Sequence, residues 1–287
     1  MAKQVGTIEF LKDELSGSRT GRGWLMPCFH GAARAGLGPR ITSVYEGTSP
    51  WLCVMGIGDP RYAAARKLHR DKGRSVACWD MGYFGKSKDL LHCRCRVSLN
   101  SDHPTHEAMD ATEPDPSRWI SLGLRLYNTY DPNGHVVVVG MGPKSHDYIG
   151  EHDWEQNALE AAKRRFPNRR VVYRPKPRCD AMVPVVWDDV VGEGHITAVL
   201  DGASLVICRH SNVAIDACIM GVPVECEDGA AHWLYSRTSQ PTEKQRLDLL
   251  HRLAWWQYRL WDADMEKGWR FLLEMERKLF NRKELAA

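Results

Sequence analysis

Apolar positions fall into two series of short continuous runs. The first holds WLCVM (Trp51 to Met55), SVACW (Ser75 to Trp79) and HCRCRVSL (His92 to Leu99); the second holds HVVVVG (His135 to Gly140), VVYR (Val171 to Arg174) and SLVIC (Ser204 to Cys208). Runs of this length bounded by turn residues predict buried strands. Between them the periodicity becomes helical in RYAAARKLHRDKG, closed by Gly73, and in Trp154 to Phe166. Ile196 to Gly202 is a further amphipathic segment, and IEFLKDEL predicts a short N-terminal helix ending at Ser16 and Gly17. Two long amphipathic stretches, Lys244 to Trp261 and Ala263 to Leu279, predict a helical tail.

Apolar strands alternating with helices predict α/β architecture with parallel, doubly wound sheets, whose ligands bind at the carboxyl ends of the strands. Asp59, Asp80, Asp102 and His103 all follow strand runs and are expected at such ends. Thr112 to Pro116 reads as a loop and Trp119 to Tyr127 as a helical piece. Asp131-Pro132-Asn133-Gly134 is the strongest turn signal between the two strand series, so we expect domains at 1–132 and 133–245 and crossing-back helices at 246–287. From Gly17 to Arg40, six glycines interleave with Arg19, Arg22, Arg34 and Arg40. This pattern predicts a long basic loop, either a lid over an acceptor or an unstructured leader.

Composition narrows the function classes. With 287 residues, 43% hydrophobic content and a formal charge of +3, the chain can bury real cores and has too little net charge for wholesale nucleic-acid binding. No apolar run reaches membrane-span length and the first residues lack signal-peptide order, so a cytoplasmic monomer or weak homodimer is expected. Nine cysteines, scattered through apolar strands, read as reduced core residues. His92, Cys93, Cys95, His103 and His106 cluster in sequence, but without a Cys-x-x-Cys knuckle they do not make a zinc site. No Asp-x-Asp closes a strand, and no metal is required.

The most informative stretch is SLVICRHSNVAIDACIMGVPVE, Ser204 to Glu225: a strand, a polar turn, a helix closed by Gly221, and a strand opened by Val222 and Pro223. Ser211 or Asn212 is the expected N-cap. The helix start, with Arg209 and His210 beside it, is a candidate phosphate site, and Asp216 lies one turn on, where a ribose would donate to it. Any α/β domain has such turns, so pattern alone leaves this open.

Ser211, Asn212, Asp216, Gly221, Pro223 and Val224 resemble the nucleotide-sugar site of GT-B glycosyltransferases, with Asp where that family more often has Glu. Tyr173 to Pro177, YRPKP, resembles the basic strand end of capsule-type transferases of the same fold, with Lys176 where His is usual. The resemblance implies two Rossmann-like domains with a cleft between them, and a UDP-sugar donor held by Arg174, Lys176, Arg209, His210, Ser211, Asn212 and Asp216. CWDMGYFG and RVSLNSDHP, with the tryptophan-rich tail, are similar to bacteriophage glycosyltransferases. That likeness implies transfer to a 5-hydroxymethylpyrimidine in double-stranded DNA. A capsule or surface glycan is the alternative acceptor, and a non-catalytic nucleotide-binding module the alternative class. A dinucleotide enzyme is disfavoured because Gly56-Ile57-Gly58 lacks the third glycine.

Inverting transfer needs a base for the acceptor hydroxyl and positive groups for the leaving diphosphate. Arg174, Lys176 and the helix start are expected to supply the second. Asp80, beside Gly82 and Tyr83, is the first candidate base, with a capping or salt-bridge role as its alternative. His103 is the second candidate.

Overall fold

The structure, a computed structural model, describes residues 6–11, 19–56, 60–84, 94–177 and 183–280. The chain begins with β1 (Gly6–Leu11), α1 (Arg19–Arg34), β2 (Leu37–Thr42), β3 (Trp51–Met55), α2 (Pro60–Asp71), β4 (Ser75–Met81), β5 (Arg94–Leu99), α3 (His106–Ala111) and α4 (Ser117–Ser121). It continues through β6 (Val136–Val139), α5 (Pro143–Ile149), α6 (Trp154–Arg165), β7 (Val171–Arg174), α7 (Ile196–Leu200), β8 (Leu205–Cys208), α8 (Val213–Met220), β9 (Val224–Cys226) and α9 (His232–Tyr235). Last come α10 (Glu243–Ala254), β10 (Gln257–Arg259) and α11 (Asp262–Phe280). These elements make two compact units, Met1–Arg118 with His251–Ala287, and Trp119–Leu250.

The first unit carries a sheet in the order β10-β5-β4-β3-β1-β2. Four of its strands, β1 to β4, run parallel, but β5 is antiparallel to β4 and β10 antiparallel to β5. The sheet is therefore mixed where the alternation predicted it fully parallel, because strand direction at an edge leaves no mark on the apolar pattern. One consequence is that Asp102 and His103 follow an antiparallel strand, whose end lies beside the start of β4: Asn100 N–H donates to Val76 O at 2.8 Å.

Two N-terminal expectations are corrected. IEFLKDEL does not begin a helix; Ile8 to Leu11 are consecutively buried in β1, which lies between β2 and β3. A strand covered on both faces buries successive residues, as a surface helix cannot. Its one acid, Glu9, is buried because Oε1 accepts Glu46 N–H at 2.7 Å and Oε2 accepts Gly47 N–H at 3.1 Å. The glycine-rich segment is not a loop either. From Arg19 it forms α1, whose buried residues Trp24, Leu25, Cys28, Gly31 and Ala32 recur at helical spacing, and then β2. Residues 12–18 lie outside the described set.

The C-terminal helix α11 belongs to this N-terminal unit. It packs along α1, where Cys28 Sγ lies 3.5 Å from Met265 Sδ and Trp269 Nε1 donates to Cys28 O at 2.9 Å. A Cβ on Gly31 would stand 2.8 Å from the carbonyl carbon of Met265 and 2.9 Å from Glu266 N. Gly31→Val is accordingly expected to lower stability by about 1–3 kcal/mol through forced separation of the helices. Urea unfolding of the variant checks this, and an unchanged midpoint would contradict the close approach. The first long tail helix ends earlier than its pattern predicted, because residues 257–259 leave it to pair with β5.

The second unit has a fully parallel sheet in the order β7-β6-β8-β9. Val136, Val138, Leu159, Ala162, Val171, Tyr173 and Leu205 form its buried core between β6, β7, β8 and α6. Residues 119–132, expected with the first domain, lie in this unit. Tyr127 N–H and Thr129 N–H donate to Ile219 O and Met220 O at 2.8 and 2.9 Å. The Asp131–Gly134 turn thus leads into β6 from within the unit, and Gly134 is required there because a Cβ would collide with Gly202 O.

Candidate functional site

In the second sheet, β6 lies between β7 and β8, so successive connections leave it in opposite directions. Such a reversal is where open α/β sheets hold ligands, in the crevice expected above the carboxyl ends of β6 and β8. Its rims are the Gly140-Met141-Gly142 turn after β6 and the Arg209–Asn212 turn after β8.

Asn212 occupies the N-cap of α8, while Ser211 Oγ accepts Val213 N–H at 3.2 Å. His210 adopts a left-handed conformation at φ 49°, and its N–H donates to Asp228 Oδ1. Such a turn directs successive N–H groups toward one side and adds the positive end of the helix dipole. Asp216 is half-buried in the first turn of α8, its N–H bonded to Asn212 O at 3.3 Å. The helix closes at Gly221, whose φ of 80° lets its N–H reach Ala217 O and Cys218 O.

The arginines have other attachments. Arg174 is buried and donates to Val191 O, Glu193 O and Gly194 O, each at 2.7 Å, so it builds the 191–194 loop. Lys176, two residues on, is exposed. Arg209 pairs with Glu151 at 2.5 Å, Glu227 at 3.4 Å and Asp228 at 3.5 Å. At this edge the polar turn and Lys176 face solvent chemistry, while Arg174 and Arg209 hold the protein's own loops.

Under the Gly140 turn lies a pair that sequence reasoning missed. His146 and Glu155 are both buried, with His146 Nε2 and Glu155 Oε1 2.8 Å apart, and the same Oε1 accepts Met141 N–H at 2.8 Å. The partners come from two helices nine residues apart, a spacing that no local motif marks.

In the first unit, Asp80 sits at the carboxyl end of β4 opposite Arg96 on β5. Its Oδ2 meets Arg96 Nη2 at 3.1 Å, its Oδ1 accepts Met81 N–H at 2.7 Å, and its side chain is 27% exposed. The Arg96 guanidinium lies 5.6 Å from the Tyr83 ring centre, and Tyr83 Oη is 3.1 Å from His103 Nδ1. Burial pushes the Tyr83 phenol well up, against a smaller opposing effect of Arg96, so it stays protonated. Asp80 and His103 are thereby linked through Arg96 and Tyr83. Asp102 is buried against Arg66. Asp59 lies outside the described residues, as do His92 and Cys93 of the sequence cluster. Among the described residues no group of three or more metal-ligating side chains occurs.

Two arginine-rich stretches of the first unit, 19–40 and 61–74, are the basic segments nearest to what a DNA acceptor would need, and five of their arginines are engaged within the unit. Arg34 pairs with Glu266, Arg40 with Glu46, and Arg66 with Asp102. Arg70 donates to Asn100 O at 2.6 Å and Arg74 to Ser49 O at 3.3 Å.

By sequence, no protein-family model and no curated protein matches the chain. Solved structures do. The chain is similar to the KpsC β-Kdo 2,7-transferase of Thermosulfurimonas dismutans at 14% identity, covering 93% of this chain and 99% of that one with a TM-score of 0.56. It is likewise similar to the KpsC β-Kdo 2,4-transferase of that organism at 10% identity, covering 88% and 92% with a TM-score of 0.56. At such identities the likeness is one of fold. The chain has a GT-B-like fold: two α/β units with mainly parallel sheets, and a C-terminal helix packed on the N-terminal region.

Proposed function

We propose that the chain is a glycosyltransferase that moves a sugar from a nucleotide-sugar to a hydroxyl of a capsule or surface glycan. The observation that carries this reading is the reversal between β6 and β8, with a glycine turn on one rim and a polar helix start on the other, in a GT-B-like fold. The start of α8 with its dipole, the small Gly140–Gly142 turn that lets a ligand approach, and Lys176 receive the diphosphate, and Asp216 accepts from the ribose. The donor we expect is a UDP-sugar. In the transfer, the acceptor oxygen bonds to the anomeric carbon as its proton passes to Asp80. The anomeric C–O bond to phosphate breaks, and the nucleotide leaves with the electron pair. His103 is the second candidate for the proton. Charge on the leaving group is met by N–H dipoles and Lys176, so no metal is assigned.

A DNA acceptor, implied by the phage resemblance, is set aside in favour of a glycan for two reasons. Arg34, Arg40, Arg66, Arg70 and Arg74 of the two basic stretches are already bound within the first unit, and the two similar folds reported above are those of Kdo transferases. The test is transfer from a panel of labelled nucleotide-sugars to bacterial surface oligosaccharides and, separately, to duplex DNA carrying hydroxymethylated bases. Label on the glycan supports the proposal. Label on the DNA alone overturns the acceptor, and no transfer or hydrolysis with any donor overturns the activity. Asp216→Ala is expected to weaken nucleotide binding by roughly 1.5–3 kcal/mol, the worth of a hydrogen bond to a charged group. Calorimetry checks this, and an unchanged affinity would remove Asp216 from the site.

A further inference from the structure

The Gly140–Gly142 turn rests on a buried proton-bearing chain with no part in the reading above. Glu155 Oε1, on α6, accepts Met141 N–H and faces His146 Nε2, each at 2.8 Å. His146, on α5, is fully buried, and its Nδ1 lies 2.5 Å from Glu151 O. A carbonyl oxygen only accepts, so Nδ1 carries a proton. Nε2 then either donates to a carboxylate or accepts from a carboxylic acid. The peptide N–H on Oε1 stabilises the carboxylate and the carbonyl on Nδ1 stabilises the imidazolium, and both favour the charged arrangement.

From β7, Tyr173 is pushed up to about 12, first by burial and then by the charge of Glu155. Its hydroxyl would stand 2.7 Å from a Cβ on Gly140, so the phenol fills the space under the turn. His152 stacks on His146 at 6.3 Å between ring centres. Glu151, whose carbonyl holds His146, sends its carboxylate to Arg209 on the opposite rim. One short loop thus joins the supports of both turns.

We propose that His146 and Glu155 form a buried imidazolium–carboxylate pair that fixes the Gly140–Gly142 turn in the arrangement that receives an anionic diphosphate, making both of them positioning residues. The role at the turn rests on the nucleotide-site reading; the proton state does not. A neutral pair would leave Met141 N–H on a weaker acceptor, and the turn would lose the anchor that holds its backbone against the field of an incoming anion.

Two measurements on the full chain test this. Nitrogen-15 spectra of the histidine rings of the ligand-free protein at neutral pH are expected to show both nitrogens of His146 protonated. A single protonated nitrogen overturns the proposal. Glu155→Gln keeps the shape but removes the charge, so His146 is expected to become neutral and UDP affinity to fall by about tenfold, with a similar fall in His146→Gln. Both variants are compared at matched unfolding midpoints, and Asn157→Ala, on the exposed face of α6, serves as a control with unchanged affinity. If the variants bind UDP as tightly as the parent, the positioning role is wrong. If the parent binds no nucleotide, the site reading fails and takes the positioning role with it, whatever the ring spectrum shows.

Discussion

Trp269→Ala is expected to destabilise the first unit by about 3–5 kcal/mol, the range for truncating a buried large aromatic. The ring is fully buried and touches three others, Trp79 at 5.5 Å, Phe10 at 5.9 Å and Trp51 at 6.2 Å between centres. These come from β4, β1 and β3, so one side chain of α11 covers the middle of the sheet. Its removal also strips Cys28 O, in α1, of the indole N–H at 2.9 Å. Trp269→Phe retains most of the apolar contact but not the donor, and should cost less. Urea unfolding of the three proteins checks the order. A loss under about 1 kcal/mol for the alanine variant would mean that the tail is not part of this core.

Asp80→Asn is expected to lower turnover by roughly 10²–10⁴-fold with nucleotide affinity unchanged, the signature of a lost proton acceptor. The amide oxygen still accepts Met81 N–H, whereas the pairing with Arg96 is weakened, so a structural effect must be separated from a chemical one. Arg96→Met provides that separation, because it breaks the same ion pair and keeps the carboxylate. If both variants lose activity and stability together, Asp80 is a cross-strand anchor. If Asp80→Asn transfers sugar at the parent rate and His103→Ala does not, the base is His103.

What the sequence made legible was the second unit. Val136 to Val139 and Leu205 to Cys208 are continuous apolar runs closed by polar turns, and Gly221 marks the end of α8 by the one residue type that enters the left-handed region without strain. The first unit was less legible because its rules are tertiary. Glu9 reads as polar until Glu46 N–H and Gly47 N–H are placed against it. The glycines of α1 read as loop until Met265 is packed on Gly31. The direction of β5 depends on pairing, and the short strand β10 exists only because β5 has an open edge. At the candidate site the sequence found the residues of the α8 turn, but not what engages Arg174 and Arg209. Their partners, Val191, Glu193, Gly194, Glu151, Glu227 and Asp228, stand in other segments.

The central claim is that a nucleotide diphosphate binds at the carboxyl edge of the second sheet. Backbone amide spectra of the isotope-labelled chain titrated with UDP, and with other nucleoside phosphates in parallel, test it most directly. The account predicts saturable shifts concentrated at Gly140 to Gly142 and Ser211 to Asp216, and saturation with none at these residues would contradict it.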